Sequence, residues 1–205
     1  MAGLFVTFEG IDRSGKTTQA RMLVEALGDE GLAVREPGGT EVGERLRELL
    51  KDPAVRVAPE TEALLFAAAR AELVAQVIRL ALDDGKVVVS DRFLDSSLAY
   101  QGIARGLGVE DVEQINRFAT GGLLPDLTIL LAIDPQRAAE RAGQLDRFED
   151  EGHSLQSAVF HAYGELAAAD PVRWRTVDAD RPSQEVHADV LAAVREARSV
   201  AGARA

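Results

Sequence analysis

The sequence predicts an α/β fold, a mostly parallel sheet covered by helices on both faces. Short apolar runs of strand length alternate along the chain with stretches of helical period, the pattern of successive β-α-β units. A glycine-rich loop, Gly10-Ile11-Asp12-Arg13-Ser14-Gly15-Lys16-Thr17, lies between the first such run and the first such helix. The 205 residues suit one domain (1–205) with a sizeable core, and neither an internal repeat nor a Pro/Gly/Ser-rich linker divides them.

Leu4 to Phe8 is a nearly continuous apolar strand, and Lys16 to Leu27 carries apolar residues at helical spacing. Leu32 to Arg35 reads as a second strand, stopped by Glu36-Pro37-Gly38-Gly39-Thr40, which neither periodic element accommodates without strain. Glu41 to Leu50 reads as a short helix. Thr61 to Leu82 reads as a long one, with Leu64, Ala68, Ala71, Ala75, Ile78 and Leu82 predicted on one face. Asp83-Asp84-Gly85 ends it. Val87 to Ser90 is a buried strand ending in Asp91-Arg92, followed by helices over Asp95 to Ala104 and Val109 to about Ala119. Leu127 to Ile133 is the clearest buried strand, and Asp134-Pro135 starts a helix reaching about Ala142. After a charged stretch from Gly143 to Gly152, the pattern gives a helix over Ser154 to Ala169, a strand over Trp174 to Val177 and a helix over Ser183 to Arg198.

A formal charge of −11 disfavours general attraction to nucleic acid or anionic membranes. The absence of Cys excludes disulfides and thiolate-held metals and suits a reducing compartment. No signal peptide or membrane span is legible, so a cytoplasmic location is expected. Only Lys16, Lys51 and Lys86 are lysines, which singles out the one in the glycine-rich loop.

That loop matches G-x-x-x-x-G-K-[ST] in the strand-loop-helix context the motif requires. Its backbone N–H groups and the following helix N-terminus are suited to phosphate, Lys16 to the outer phosphates and the Thr17 hydroxyl to Mg²⁺. Asp91, ending a buried strand, suits the magnesium shell, though helix capping is the plainer reading. Arg92 beside it would point into the crevice where open α/β sheets bind ligands. Glu9 suits either an orienter of magnesium-bound water or a structural acceptor. No Asn-Lys-x-Asp stretch exists, and Asn116, the one Asn, is followed by Arg, so a GTPase is poorly supported.

The segments FEGIDRSGKTTQA, REPGGT, LLFAAAR, DRFLDSSLAYQG and LDRFE, with the weaker PVRWRTVDA, resemble the thymidylate kinase family over about residues 4 to 180. The resemblance implies a five-stranded parallel sheet of the P-loop nucleoside triphosphate hydrolase type, a lid at about 143–152 and a homodimer. It also implies transfer of the terminal phosphoryl group of ATP, accompanied by Mg²⁺, to dTMP, giving dTDP and ADP for dTTP biosynthesis. Gly10 through Thr17, with Thr18 and Arg141, would then bind ATP. Phe66 would stack on thymine, Arg70 would bond its carbonyl edge, and Ser97 and Gln101 would complete recognition. Arg45 and Arg92 would hold the acceptor phosphate, Asp12 the sugar 3′-hydroxyl, and Glu36 and Pro37 the wall beside them. Tyr100 would close on the 2′ position.

Several of these residues carry plainer readings. Phe66 and Arg70, four apart on a helix, fit a core ring and a surface charge as well as a base site. Arg45 alone reads as a solvated charge. Tyr100 alone reads as packing. His153, His161 and His187 have no motif context and read as surface or packing residues. Because the acceptor is already a phosphate, catalysis requires positioning and charge neutralisation by Lys16, Arg92, Asp12 and a further arginine, and no general base. Arg13 in the loop is expected to supply that arginine, with Arg141 and Arg147 as the alternatives, since Ala142 stands where lid-dependent members of the family carry an arginine.

Overall fold

β1 (Leu4–Glu9), β3 (Val87–Asp91) and β4 (Leu127–Ala132) are buried almost end to end, as strands with helices on both faces must be. The computed structural model describes residues 3–141 and 152–204, and β2 (Gly31–Arg35) and β5 (Trp174–Asp178) complete its sheet. The order is β2-β3-β1-β4-β5 with every pairing parallel.

The helices are α1 (Lys16–Leu27), α2 (Glu41–Lys51), α3 (residues 59–83), α4 (residues 94–104), α5 (Val109–Thr120), α6 (Pro135–Ala139), α7 (Gly152–Ala169) and α8 (Ser183–Arg204). Thr40 caps α2 by accepting from the Gly43 N–H at 3.0 Å, and Asp134 caps α6 ahead of Pro135. α1 and α8 lie together against the strands. Phe5 and Val88, on the other face of the sheet, meet Leu73, Val74 and Ile78 of α3, Leu94 and Leu98 of α4 and Val112 of α5.

Two differences from the sequence reading concern α3 and α4. The predicted apolar face of α3 is rotated: Leu64, Ala68 and Ala75 are exposed, while Ala63, Ala67, Arg70, Val74, Ile78 and Ala81 point inward. An alanine-rich helix offers two apolar stripes, and the inward one is completed by polar residues that find partners in the core. Both helices also contain a π-helical turn, Val74–Ile78 in α3 and Leu98–Ala104 in α4, which widens the helix and shifts the face it presents. The helix after β4 stops at Ala139, and the last helix runs on to Arg204. The expected lid falls almost wholly on 142–151, outside the described residues.

Between α4 and the sheet, Arg173 donates to both oxygens of the fully buried Asp95, at 2.6 and 2.9 Å, and to the Thr128 hydroxyl at 2.8 Å. Thr128 in turn accepts from Thr7 of β1. This paired group fixes the start of α4, the helix that carries Ser97, Tyr100 and Gln101. The chain leaves β1 into α1 on one face and β3 into α4 on the other, so a crevice opens where their carboxyl ends diverge.

Candidate active site

A cavity of about 750 Å³ occupies that crevice. Residues 12–19 of the glycine-rich loop and α1 line one side, with Arg141, Arg181 and Ser183. Glu36, Pro37, Phe66, Ser97, Tyr100 and Gln101 line the other, and Asp91 and Arg92 lie between.

Gly10 and Gly15 have φ of 141° and 100°, and a Cβ at Gly10 would lie 2.7 Å from the Leu131 carbonyl oxygen. The loop thus needs glycine both for its turn and for its approach to β4. Lys16 is buried within the ring it starts, its Nζ donating to the carbonyls of Gly10 at 3.0 Å and Ile11 at 2.6 Å. Burial, reinforced by the like charge of Arg92, lowers its pKa to about 8. The Thr17 hydroxyl donates to Asp91 at 2.5 Å, so the two predicted magnesium ligands meet at the cavity wall.

Arg92 adopts φ of 72°, an uncommon backbone for a non-glycine residue, which its side chain makes intelligible. Its guanidinium donates to the Gly10 carbonyl at 3.2 Å, Ser96 at 3.1 Å, Tyr163 at 3.2 Å and Tyr100 at 3.3 Å, and pairs with Asp12. Asp12 also accepts from Gln156 at 2.8 Å. Burial pushes the Asp12 carboxyl up, but the charges of Arg92 and Lys16 outweigh it and hold it low, so Asp12 is an anion facing the cavity. The Tyr100 phenol is pushed up by burial and stays neutral, able to donate to Asp12 at 3.4 Å.

Four expectations are corrected or refined by this geometry. Arg45 does not line the cavity; it pairs with Glu41 on the same helix, with 76% of its side chain exposed. Arg47, two residues on, lines the cavity instead and donates to the Pro37 carbonyl at 2.8 Å. Gly43, Arg47 and Leu50 share one face at i, i+4 and i+7, and the two outer residues are buried, so this is the face of α2 that turns inward.

Arg70 is buried behind the cavity wall, with its donors committed to Glu36 at 2.7 Å, Ser97 at 3.1 Å, the Phe93 carbonyl at 3.1 Å and Asn116. It supports the wall through Glu36 and Ser97. Glu9 is fully buried and accepts from the Phe93 N–H at 2.8 Å, Ser96 at 2.6 Å and Tyr163 at 2.8 Å. It is the structural acceptor of the two readings, holding the start of α4 and the hydroxyls that orient Arg92. Arg141 donates to the carbonyls of Arg13, Ser14 and Ala179, bracing the loop against the turn after β5. Gln156 and Tyr163 were not singled out in the sequence, because their tie to Asp12 and Arg92 exists only across the fold, and neither was Ser96, four residues beyond Arg92, whose hydroxyl also meets the distant Glu9 and Tyr163.

Burial raises the Glu9 pKa from 4.5 to about 7. The folded value lies above the unfolded one, so the stability this group contributes is complete below about pH 4.5 and is lost as pH rises through about 7. Glu9→Gln, uncharged throughout, is therefore expected to gain on the wild type between ~pH 5 and ~pH 8, on the order of 2 to 3 kcal/mol. Urea unfolding at both ends of that range measures it, and a gap independent of pH contradicts it.

A family model for thymidylate kinase matches residues 8–190. The chain is 50% identical over 204 residues to a thymidylate kinase of Pelotomaculum thermopropionicum, covering 96% of this chain and 94% of that protein. It is 48% identical over 201 residues to one of Deinococcus radiodurans, covering 95% and 97%. The crystal structure of a thymidylate kinase from Ehrlichia chaffeensis superposes with a TM-score of 0.80 at 30% identity, covering 95% of this chain and all of that one. With a P-loop at the switch point of a parallel five-stranded sheet and this similarity along nearly its whole length, the chain belongs to the thymidylate kinase family of ATP-dependent nucleoside monophosphate kinases.

Proposed function

We propose that the two sides of the cavity hold ATP and dTMP, with Arg92 and Asp12 at the meeting point of their phosphates. The observation that carries this reading is the lining of one continuous space. Asp12 to Thr18 of the phosphate-binding loop line it together with the aromatic ring of Phe66, the Ser97 hydroxyl and the Gln101 amide, groups suited to a base.

On the donor side, the loop N–H groups and Lys16 take the outer phosphates, with Arg13 and Arg141 beside them. Arg141 is bonded to the carbonyls of Arg13, Ser14 and Ala179, and Arg13 to those of Ala139 and Arg141. Arg13, which belongs to the loop itself, is the arginine assigned to the transferring group, and Arg147 lies outside the described residues. On the acceptor side, Phe66 stacks on the base, Arg92 and Arg47 draw in the phosphate, and Asp12 and Tyr100 face the sugar. An oxygen of the acceptor phosphate attacks the terminal phosphorus of ATP, and ADP leaves. The protein neutralises and aligns two polyanions, with no side chain needed as a base.

Among the described residues no group of three or more His, Cys, Asp or Glu is placed to hold a metal ion. The oxygen pair Thr17 and Asp91 nevertheless suits Mg²⁺ arriving with the nucleotide, since this ion keeps phosphate and water among its six ligands. When bound it supplies charge neutralisation at the phosphates.

A homodimer is part of the proposal. Leu64 and Leu80 of α3 and Phe118 of the adjoining α5 are 55%, 59% and 91% exposed, large apolar groups on neighbouring helices. Sedimentation of the pure protein tests it. A cytoplasmic, single-domain enzyme completes the proposal; no helix among the described residues is long and apolar enough to cross a membrane.

Phe66→Ala is expected to weaken dTMP binding by roughly 5- to 140-fold through lost stacking, worth about 1 to 3 kcal/mol per base, while ATP binding changes less than ~twofold. Separate calorimetric titrations decide it, and equal losses for both nucleotides contradict the two-sided assignment.

A further inference from the structure

We infer that Glu62 is a specificity-determining residue: by fixing which end of the Gln101 amide faces the cavity, it selects a base that carries a hydrogen on its ring nitrogen. The inference rests on the dTMP reading above. Glu62 is 2% exposed, on the inward face of α3, and does not line the cavity. Its Oε1 accepts from Gln101 Nε2 at 2.9 Å. Arg105 donates to the same carboxylate, Nε to Oε1 and Nη2 to Oε2, both at 3.3 Å.

A carboxylate paired with arginine accepts and cannot donate, whereas the primary amide of glutamine presents an acceptor at one end and donors at the other. Glu62 therefore draws the Gln101 NH₂ group toward itself and leaves Oε1, the acceptor, for the cavity that Gln101 lines. Gln101 lies four residues beyond Ser97 on α4, so the two share one helix face. Ser97 Oγ already accepts from Arg70, and its hydroxyl hydrogen remains able to donate.

The wall thus offers an acceptor from Gln101 and a donor from Ser97. A thymine or uracil ring, with N–H at position 3 and a carbonyl at position 4, complements that pair. A cytosine ring, with a bare nitrogen at position 3, meets Oε1 acceptor to acceptor and leaves it unpaired, the kind of mismatch that gives large discrimination. Glu62 touches no substrate in this scheme and acts as a positioning residue. Its replacement by glutamine introduces a donor opposite Gln101 and releases that amide to turn.

The experiment measures kcat/KM for dTMP, dUMP and dCMP with ATP in the wild type and in Glu62→Gln. The dTMP:dCMP ratio is expected to fall at least ~tenfold in the variant, while the dTMP:dUMP ratio, which reads the ring methyl, stays within ~twofold. General damage to the fold lowers all three rates without that split. An unchanged dTMP:dCMP ratio overturns the inference. A wild type that ignores dTMP overturns the substrate reading itself. Should Glu62→Gln not fold, neutron diffraction from the deuterated wild type with dTMP decides. Gln101 Oε1 facing the ring nitrogen supports the assignment, and its ND₂ group facing the ring overturns it.

Discussion

Lys16→Ala is expected to lower kcat by on the order of 10³, since an electrostatic donor aimed at developing charge contributes ~10² to 10³ and this one carries a full charge. Lys16 sits at the first position of α1 inside a loop whose glycines bring N–H groups around the same space. Its ammonium is bonded to the Gly10 and Ile11 carbonyls and is largely desolvated, which lowers its pKa to about 8. Phosphate oxygens in reach of Nζ stabilise the charged form and draw it toward the transferring group. Because Lys16 is buried in the free protein, its removal also forfeits loop hydrogen bonds worth ~1 kcal/mol. A melting temperature within a few degrees of the wild type, with turnover nearly abolished, is the expected pair of results, and turnover within ~tenfold contradicts the role.

Arg92→Lys is expected to cost at least ~10² in kcat/KM even though the charge is kept. The guanidinium spans Asp12, Ser96, Tyr100, Tyr163 and the Gly10 carbonyl at once, and an ammonium has neither the fork nor the reach to do so. Asp12 then loses the partner that does most to keep its carboxyl low, and in the proposed scheme the acceptor phosphate loses a guanidinium donor. Because those contacts align the two phosphates, the loss should appear in kcat as well as KM. A rise in KM at constant kcat would show that Arg92 contributes only uniform binding.

Much of this site was legible before the fold was known, because its main parts are local. The glycine-rich loop, Asp91-Arg92 and the Ser97, Tyr100, Gln101 face each lie within one turn or one helix, and the strand alternation brings them to one crevice. What was not legible depends on partners distant in sequence. Arg70 could be placed on a helix but not behind the wall, since only Glu36, Phe93, Ser97 and Asn116 together make its burial tolerable. Glu9 was open between a metal role and a structural one until Ser96 and Tyr163 appeared beside it. The inward face of α3 was misjudged for a related reason: paired polar residues occupy it, and a π-helical turn shifts the helix phase midway. Arg45 was named and Arg47 was not, because which face of α2 turns inward is shown by the burial of Gly43 and Leu50 in the fold.

The most direct test of the two-sided cavity is the fate of the terminal phosphate of ATP labelled there with ³²P, incubated with Mg²⁺, dTMP and the protein. The label is expected in dTDP, in amounts matching the ADP formed, and to vanish from that product in Lys16→Ala. Label released as inorganic phosphate with dTMP unchanged, or carried to another nucleoside monophosphate in preference to dTMP, would contradict the assignment of the Phe66, Ser97 and Gln101 side to the thymidine nucleotide.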